Sequence, residues 1–196
     1  MKLFMKSLVA SFVIVTLIST VPFQNTCKQL NNDVLRLHII ANSDSEADQK
    51  LKLYVRDSVL DSCSSLYSNV SSKSRAEEVT RENLTYIKNS AQKAVFDKGY
   101  DYDVDVSLTE TFFDTRYYDD FTMPAGVYDA VQIKIGKAEG KNWWCVMYPT
   151  LCVGASSKIS MQEDLSDDEF NVITEDDVEY KFKIVEYYEK ISSFFS

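Results

Sequence analysis

The chain has 196 residues, enough for one domain with a sizeable core once any leader is removed. Hydrophobic residues make up 45%, which excludes a disordered chain. The 21 basic against 30 acidic residues give a net charge of −9, so the folded domain repels phosphate, and binding to nucleic acid or anionic lipid is disfavoured.

Lys2 and Lys6 precede an apolar run from Ser7 to Ile18, a positive n-region followed by an h-region of signal-peptide length. Residues 1–26 therefore read as a signal peptide or an N-terminal anchor, with residues 33–196 exported as a single globular domain. No A-x-A cleavage site is evident, and the apolar stretch from Leu3 to Ile18 is marginal for a span. The membrane is met only through this segment, if it stays uncleaved. Cys27 follows polar Gln24-Asn25-Thr26, which does not make a lipobox.

From Asp33 the pattern changes. Leu35, Leu37 and Ile39 alternate with Arg36, His38 and Ile40, predicting a strand with Arg36 and the only histidine on one face. Asn42 to Ser45 reads as a turn, and Ser43 with Glu46 as a capping box opening a helix from about Asp44 to Leu66. Ala47, Leu51, Tyr54, Val55, Val59 and Cys63 form its apolar stripe. A serine-rich link, Ser68 to Ser74, leads to a second capping box, Ser74 with Glu77, and a helix that Gly99 ends. Three strands follow: Tyr102 towards Phe113, Val131 to Ile135, and Trp143 to Tyr148. The glycine-bounded stretch from Gly136 to Lys141 predicts that the last two pair as a hairpin. Helices followed by strands favour an α+β fold, with a mainly antiparallel sheet and the two helices packed on one face. Between 156 and 179 lie nine acidic residues and one lysine, read as a solvated loop. The segment from Val178 to Phe195 alternates as a strand would, but also fits a helical stripe, and its length favours a C-terminal helix.

Polar side chains gather where the first strand meets the first helix: His38, Asn42, Asp44 and Gln49. Such a corner is either a site or a well-capped junction.

The run LRLHIIANSDSEADQKLKLYVRD, starting at Leu35, resembles the N-terminal motif of the stage II sporulation protein R family. A second block resembles the same family: Pro124-Ala125-Gly126-Val127-Tyr128, Gly136, then Asn142-Trp143-Trp144-Cys145-Val146 and Pro149-Thr150-Leu151-Cys152. That family usually reads Pro-Pro-Leu-Cys after NWWCV, and Thr150 replaces the second proline. The likeness runs from Asp33 to Val153. It implies a signalling protein made in the forespore and secreted into the space between the two membranes. There it triggers a membrane-embedded aspartic protease of the mother cell, which processes the precursor of the sigma-E factor. No catalytic group is needed on that reading.

Cys145 and Cys152 flank a turn at Tyr148-Pro149-Thr150, so they form a disulfide across it or remain two buried thiols, and Cys63 is another available partner. An exported cysteine-dependent hydrolase would use Cys145 as nucleophile and His38 as base, with Asn42 or Asp44 orienting the ring, but no hydrolase signature surrounds Cys145. No C-x2-C spacing, EF-hand loop or phosphate-binding glycine loop is present, so neither a metal nor a cofactor is expected. Trp143 and Trp144 are adjacent in a strand and face opposite sides. An outward tryptophan with Arg36 and the polar corner would suit protein recognition. The expected partner-binding residues are Arg36, His38, Asn42, Asp44, Gln49, Trp143 and Trp144.

Overall fold

The computed structural model describes residues 2–118, 121–149, 151, 161–162, 164–174 and 182–183. The elements in chain order are α1 (Lys2–Asp33), β1 (Leu35–Ile40), α2 (Glu46–Tyr67), α3 (Lys73–Asp97), β2 (Val104–Phe113), β3 (Arg116–Tyr117), β4 (Thr122–Met123), β5 (Gly126–Ile135), β6 (Asn142–Tyr148) and α4 (Asp167–Thr174). Among the described residues no helix is long and apolar enough to cross a membrane. The chain divides into two compact units, one of residues 32–112 and 127–165, the other of residues 1–31, 113–126 and 166–196.

The first unit holds a four-stranded sheet in the order β2-β5-β1-β6. β1 runs antiparallel to β6 and parallel to β5. The N–H of Gly136, just past β5, donates to the carbonyl of Asp103, just before β2, at 2.8 Å. β2 and β5 therefore run antiparallel, and the sheet is mainly antiparallel within an α+β fold. Alternation does the rest. Leu35, Leu37 and Ile39 of β1 and Val131, Ile133 and Ile135 of β5 face one side, where they share a core with Leu51, Val55, Val59 and Cys63 of α2 and Ala76, Ile87, Ala91 and Val95 of α3. Burying each Leu, Ile or Val contributes about 1.5–3 kcal/mol.

The expected hairpin does not form, because β1 lies between β5 and β6. The glycine-bounded segment 136–141 instead passes over the exit of β1. Gly140 N–H donates to the Ala41 carbonyl at 2.9 Å and Glu139 N–H to the Asn42 carbonyl at 3.2 Å. These amides would otherwise close a tight turn. Both capping boxes also shift. Ser45, not Ser43, caps α2 by accepting from the Asp48 N–H at 3.1 Å, and Ser72, not Ser74, caps α3 by accepting from Arg75. Gly99 ends α3 as expected, with φ +79°.

In the second unit, Arg116 pairs with Met123 and Tyr117 with Thr122 in a short ribbon, beside which the Tyr118 and Phe121 rings stack at 4.7 Å. Part of the acidic segment read as a loop is the helix α4. Ser166 caps it, accepting from the Glu169 N–H, while the Glu169 carboxylate accepts from the Ser166 N–H at 2.9 Å. Of the expected C-terminal helix, only residues 182–183 are described; the rest, like Cys152, lies outside the described residues.

Candidate partner-binding face

The polar corner is a clasp, assembled from the turn after β1, the first turn of α2 and the crossing segment 136–141. Asn42 sits at its centre. Its Oδ1 accepts from the Lys137 N–H at 3.0 Å and its Nδ2 donates to Asp48 Oδ2 at 2.8 Å. Asp44 Oδ1 accepts from the Lys141 N–H at 2.7 Å. Gln49 donates to the Ser43 carbonyl at 2.9 Å, and its own oxygen accepts from Lys52 Nζ at 2.7 Å. Lys52 is only 4% exposed and also donates to the Lys141 carbonyl at 2.8 Å. Burial pushes its pKa down, with Lys141 and Arg56 adding repulsion and Asp44 opposing. Burial would raise the Asp48 carboxyl, but hydrogen bonds from Ser43, Asn42, Tyr102 and Ser45 outweigh it and hold the pKa below its usual value. Each polar group named here has a partner, so the corner fixes the crossing segment against β1.

Beyond the clasp, the sheet face opposite α2 and α3 carries a row across three strands: Gln132, His38 and Trp144, adjacent in register on β5, β1 and β6. The His38 ring stacks on Trp144, with centroids 3.8 Å apart and planes 18° apart. Gln132 Nε2 lies 3.1 Å from His38 Nδ1, and Asn142 Oδ1 lies 3.0 Å from His38 Nε2. Both ring nitrogens of His38 thus have a side-chain amide within hydrogen-bond distance, which fixes the plane of the ring. His38 is 5% exposed, Gln132 and Trp144 are half-buried, and Asn142 is exposed.

The two tryptophans do face opposite ways. Trp143 packs against the helix-side core with the Arg56 guanidinium 4.3 Å over its ring. Arg36 is fully buried, donating from Nε to the Cys145 carbonyl at 3.1 Å and lying 4.9 Å over the Tyr128 ring. The structure thus places His38 and Trp144 together, gathers Asn42, Asp44 and Gln49 in the clasp, buries Arg36 on the same face of β1 as His38, as expected, and puts Trp143 on the opposite face.

Cys145 and His38 do not meet. Cys145 is paired with Leu37 and shares the helix-side core, whereas His38 points to the other face. Cys145 is disulfide-bonded, whereas Cys27 and Cys63 are in no disulfide. The nucleophile–base pair of a cysteine hydrolase is therefore not assembled here.

Asp48, Lys52, Gln132 and Asn142 were not among the expected site residues. Gln132 had a signal, a polar residue inside the apolar strand Val131–Ile135. Lys52 had one too, three residues after Gln49 and so on the same helix face.

The geometry defines an α+β domain whose split hairpin is clasped at one end and whose sheet carries, on the face away from α2 and α3, a half-buried tryptophan stacked on a histidine. The sequence profile described as "Stage II sporulation protein R (spore_II_R)" matches residues 31–158, which contain every strand of the sheet. The chain belongs to the stage II sporulation protein R family. It is similar to Stage II sporulation protein R of Bacillus subtilis (strain 168), 36% identical over 121 residues, covering 62% of this chain. That alignment spans 54%, about half, of the relative's length. No solved structure matches.

Proposed function

We propose that this protein is an exported signal of sporulation that acts by binding and not by catalysis. It is secreted from the forespore into the space between forespore and mother cell. There it activates a membrane-embedded aspartic protease of the mother cell, leading to processing of the sigma-E precursor. Membership of the stage II sporulation protein R family, over residues 31–158, carries this reading. The positive n-region and apolar run at the N-terminus support export.

The contact face centres on Trp144, with His38, Asn142 and Gln132 around it. An aromatic anchor on a rigid sheet, rimmed by groups that can re-pair with a partner, is the usual composition of an interaction hot spot. Asn42, Asp44 and Gln49 set the position of the strand that carries it, and Arg36 and Trp143 hold that strand from within. The test is co-purification of the exported domain with the membrane part of the protease, alongside precursor processing in cells. A domain on the cytoplasmic side in a protease-protection assay, or no co-purification, sinks the proposal.

A further inference from the structure

β2 is the outer strand of the sheet and spans ten residues. Its hydrogen-bonding phase is fixed at its start. The Asp103 carbonyl accepts from Gly136 beyond β5, so odd-numbered residues turn their backbone groups towards β5. Even-numbered residues turn theirs outward. Gln92 of α3 confirms this phase from outside, because its Nε2 donates to the Tyr102 carbonyl at 2.8 Å and its Oε1 accepts from the Val104 N–H at 2.9 Å. A side-chain amide here takes the place of one rung of a neighbouring strand. Beyond Val104 the substitute ends, and among the described residues no strand lies alongside the outward N–H groups of Val106, Leu108 and Glu110.

Such an edge is ordinarily blunted by proline, lysine or a short length. β2 has none of these: it reads VDVSLTETFF. Its side chains also select an occupant. Asp105 and Glu110 are exposed on the strand, and Asp101 and Asp103 precede it. A second copy would lay this same acidic strand alongside itself and bring like charge to like charge, whereas a basic segment meets opposite charge.

We propose that β2 is a strand-addition site for an extended, basic segment of the protein partner. The partner's backbone would continue the ladder that Gln92 begins, and its cations would face Asp105 and Glu110. This rests on the binding reading above and adds to the Trp144 face a backbone-mediated contact at the other side of the sheet.

The test uses the full exported domain and the detergent-solubilised membrane protease. Amide exchange by NMR should show Val106, Leu108 and Glu110 exchanging fast in the free domain and slowly in the complex, while Asp105, Ser107 and Thr109 are slow in both. Glu110→Pro removes one outward donor and no bond to β5, and should weaken co-purification about tenfold, with Glu110→Ala close to wild type. Glu110→Lys should weaken it through repulsion. If wild type co-purifies but the even-numbered amides stay fast, or Glu110→Pro binds as wild type, the strand-addition site is wrong and the binding reading stands. If wild type does not co-purify, both fall. Protection that grows with protein concentration alone overturns the proposal in favour of a second copy. Should Glu110→Pro fail to fold, the exchange pattern of the wild-type complex decides alone.

Discussion

Gly140 lies against Ser43 so closely that a β-carbon there would overlap the Ser43 carbonyl, with the Ala41 methyl 3.0 Å away. This contact is where the segment between β5 and β6 crosses the exit of β1. The backbone there cannot yield without releasing the Gly140–Ala41 hydrogen bond. Gly140→Ala should destabilise the protein by about 1–3 kcal/mol, read from a denaturant melt. Gly99→Ala meets nothing within 4 Å and strains only a positive φ, so it should cost roughly 1 kcal/mol. A melt in which Gly99→Ala is clearly the worse of the two would contradict the tight crossing.

The clasp predicts an acid limb to stability. The folded Asp48 carboxyl releases its proton more readily than the unfolded one, whose pKa is near 3.8. Its ionised form therefore stabilises the fold above about that pH, and the contribution is lost as pH falls through the lower folded value. Asp48→Asn should be less stable at neutral pH, and its stability should fall less steeply with acid below about pH 4. Parallel acid limbs for the two proteins would refute the carboxylate's role.

The two tryptophans separate stability from recognition. Trp143→Ala removes a half-buried ring that packs against the helix-side core beneath Arg56 and should cost about 2–3 kcal/mol. Trp144→Ala removes a half-buried ring stacked on His38 and should cost about 0.5–1.5 kcal/mol. Co-purification with the membrane protease should nevertheless fall more than about tenfold in Trp144→Ala. If binding falls only in proportion to stability in both variants, the Trp144 face is not the contact.

Burial pushes the Cys63 thiol up to about 11, and the side chain is fully enclosed between α2 and its neighbours. Iodoacetamide at pH 8 should leave Cys63 unmodified in the native protein and label it in denaturant. Mass spectrometry of the peptide containing Cys63 reads the difference, and rapid native labelling would show that α2 opens.

Sequence periodicity was a good guide wherever a structure is local. The stripe Leu51, Val55, Val59 and Cys63 marks α2 because it faces a single core, and the alternation in β1 marks a strand with two unlike faces. The pairing of strands was misread for a physical reason. A glycine at each end of 136–141 suits a tight turn and a crossing equally well, and what chooses between them is β1, about a hundred residues earlier. Caps shifted by two residues because serine is abundant there. Ser43 turns its hydroxyl to Asp48 and leaves the first helical amides to Ser45. The Ser166–Glu169 capping box was legible but was hidden by the acidic run around it. Of the site, the pairing of His38 with Gln132 and Asn142 lies beyond local pattern, since those partners are 94 and 104 residues away.

The central place of β1 has a consequence for how the chain comes into being. A polypeptide emerges N-terminus first, and β1 is among the earliest parts of the sheet to appear. Neither strand that flanks it exists until some hundred residues later. Until then α2 and α3 can associate, yet Leu35, Leu37 and Ile39 have no strand on either side. Contacts so distant in sequence make closure slow. The newborn domain must therefore carry an apolar, unpaired strand through most of its synthesis, which makes it a natural client for chaperones that hold extended chains open.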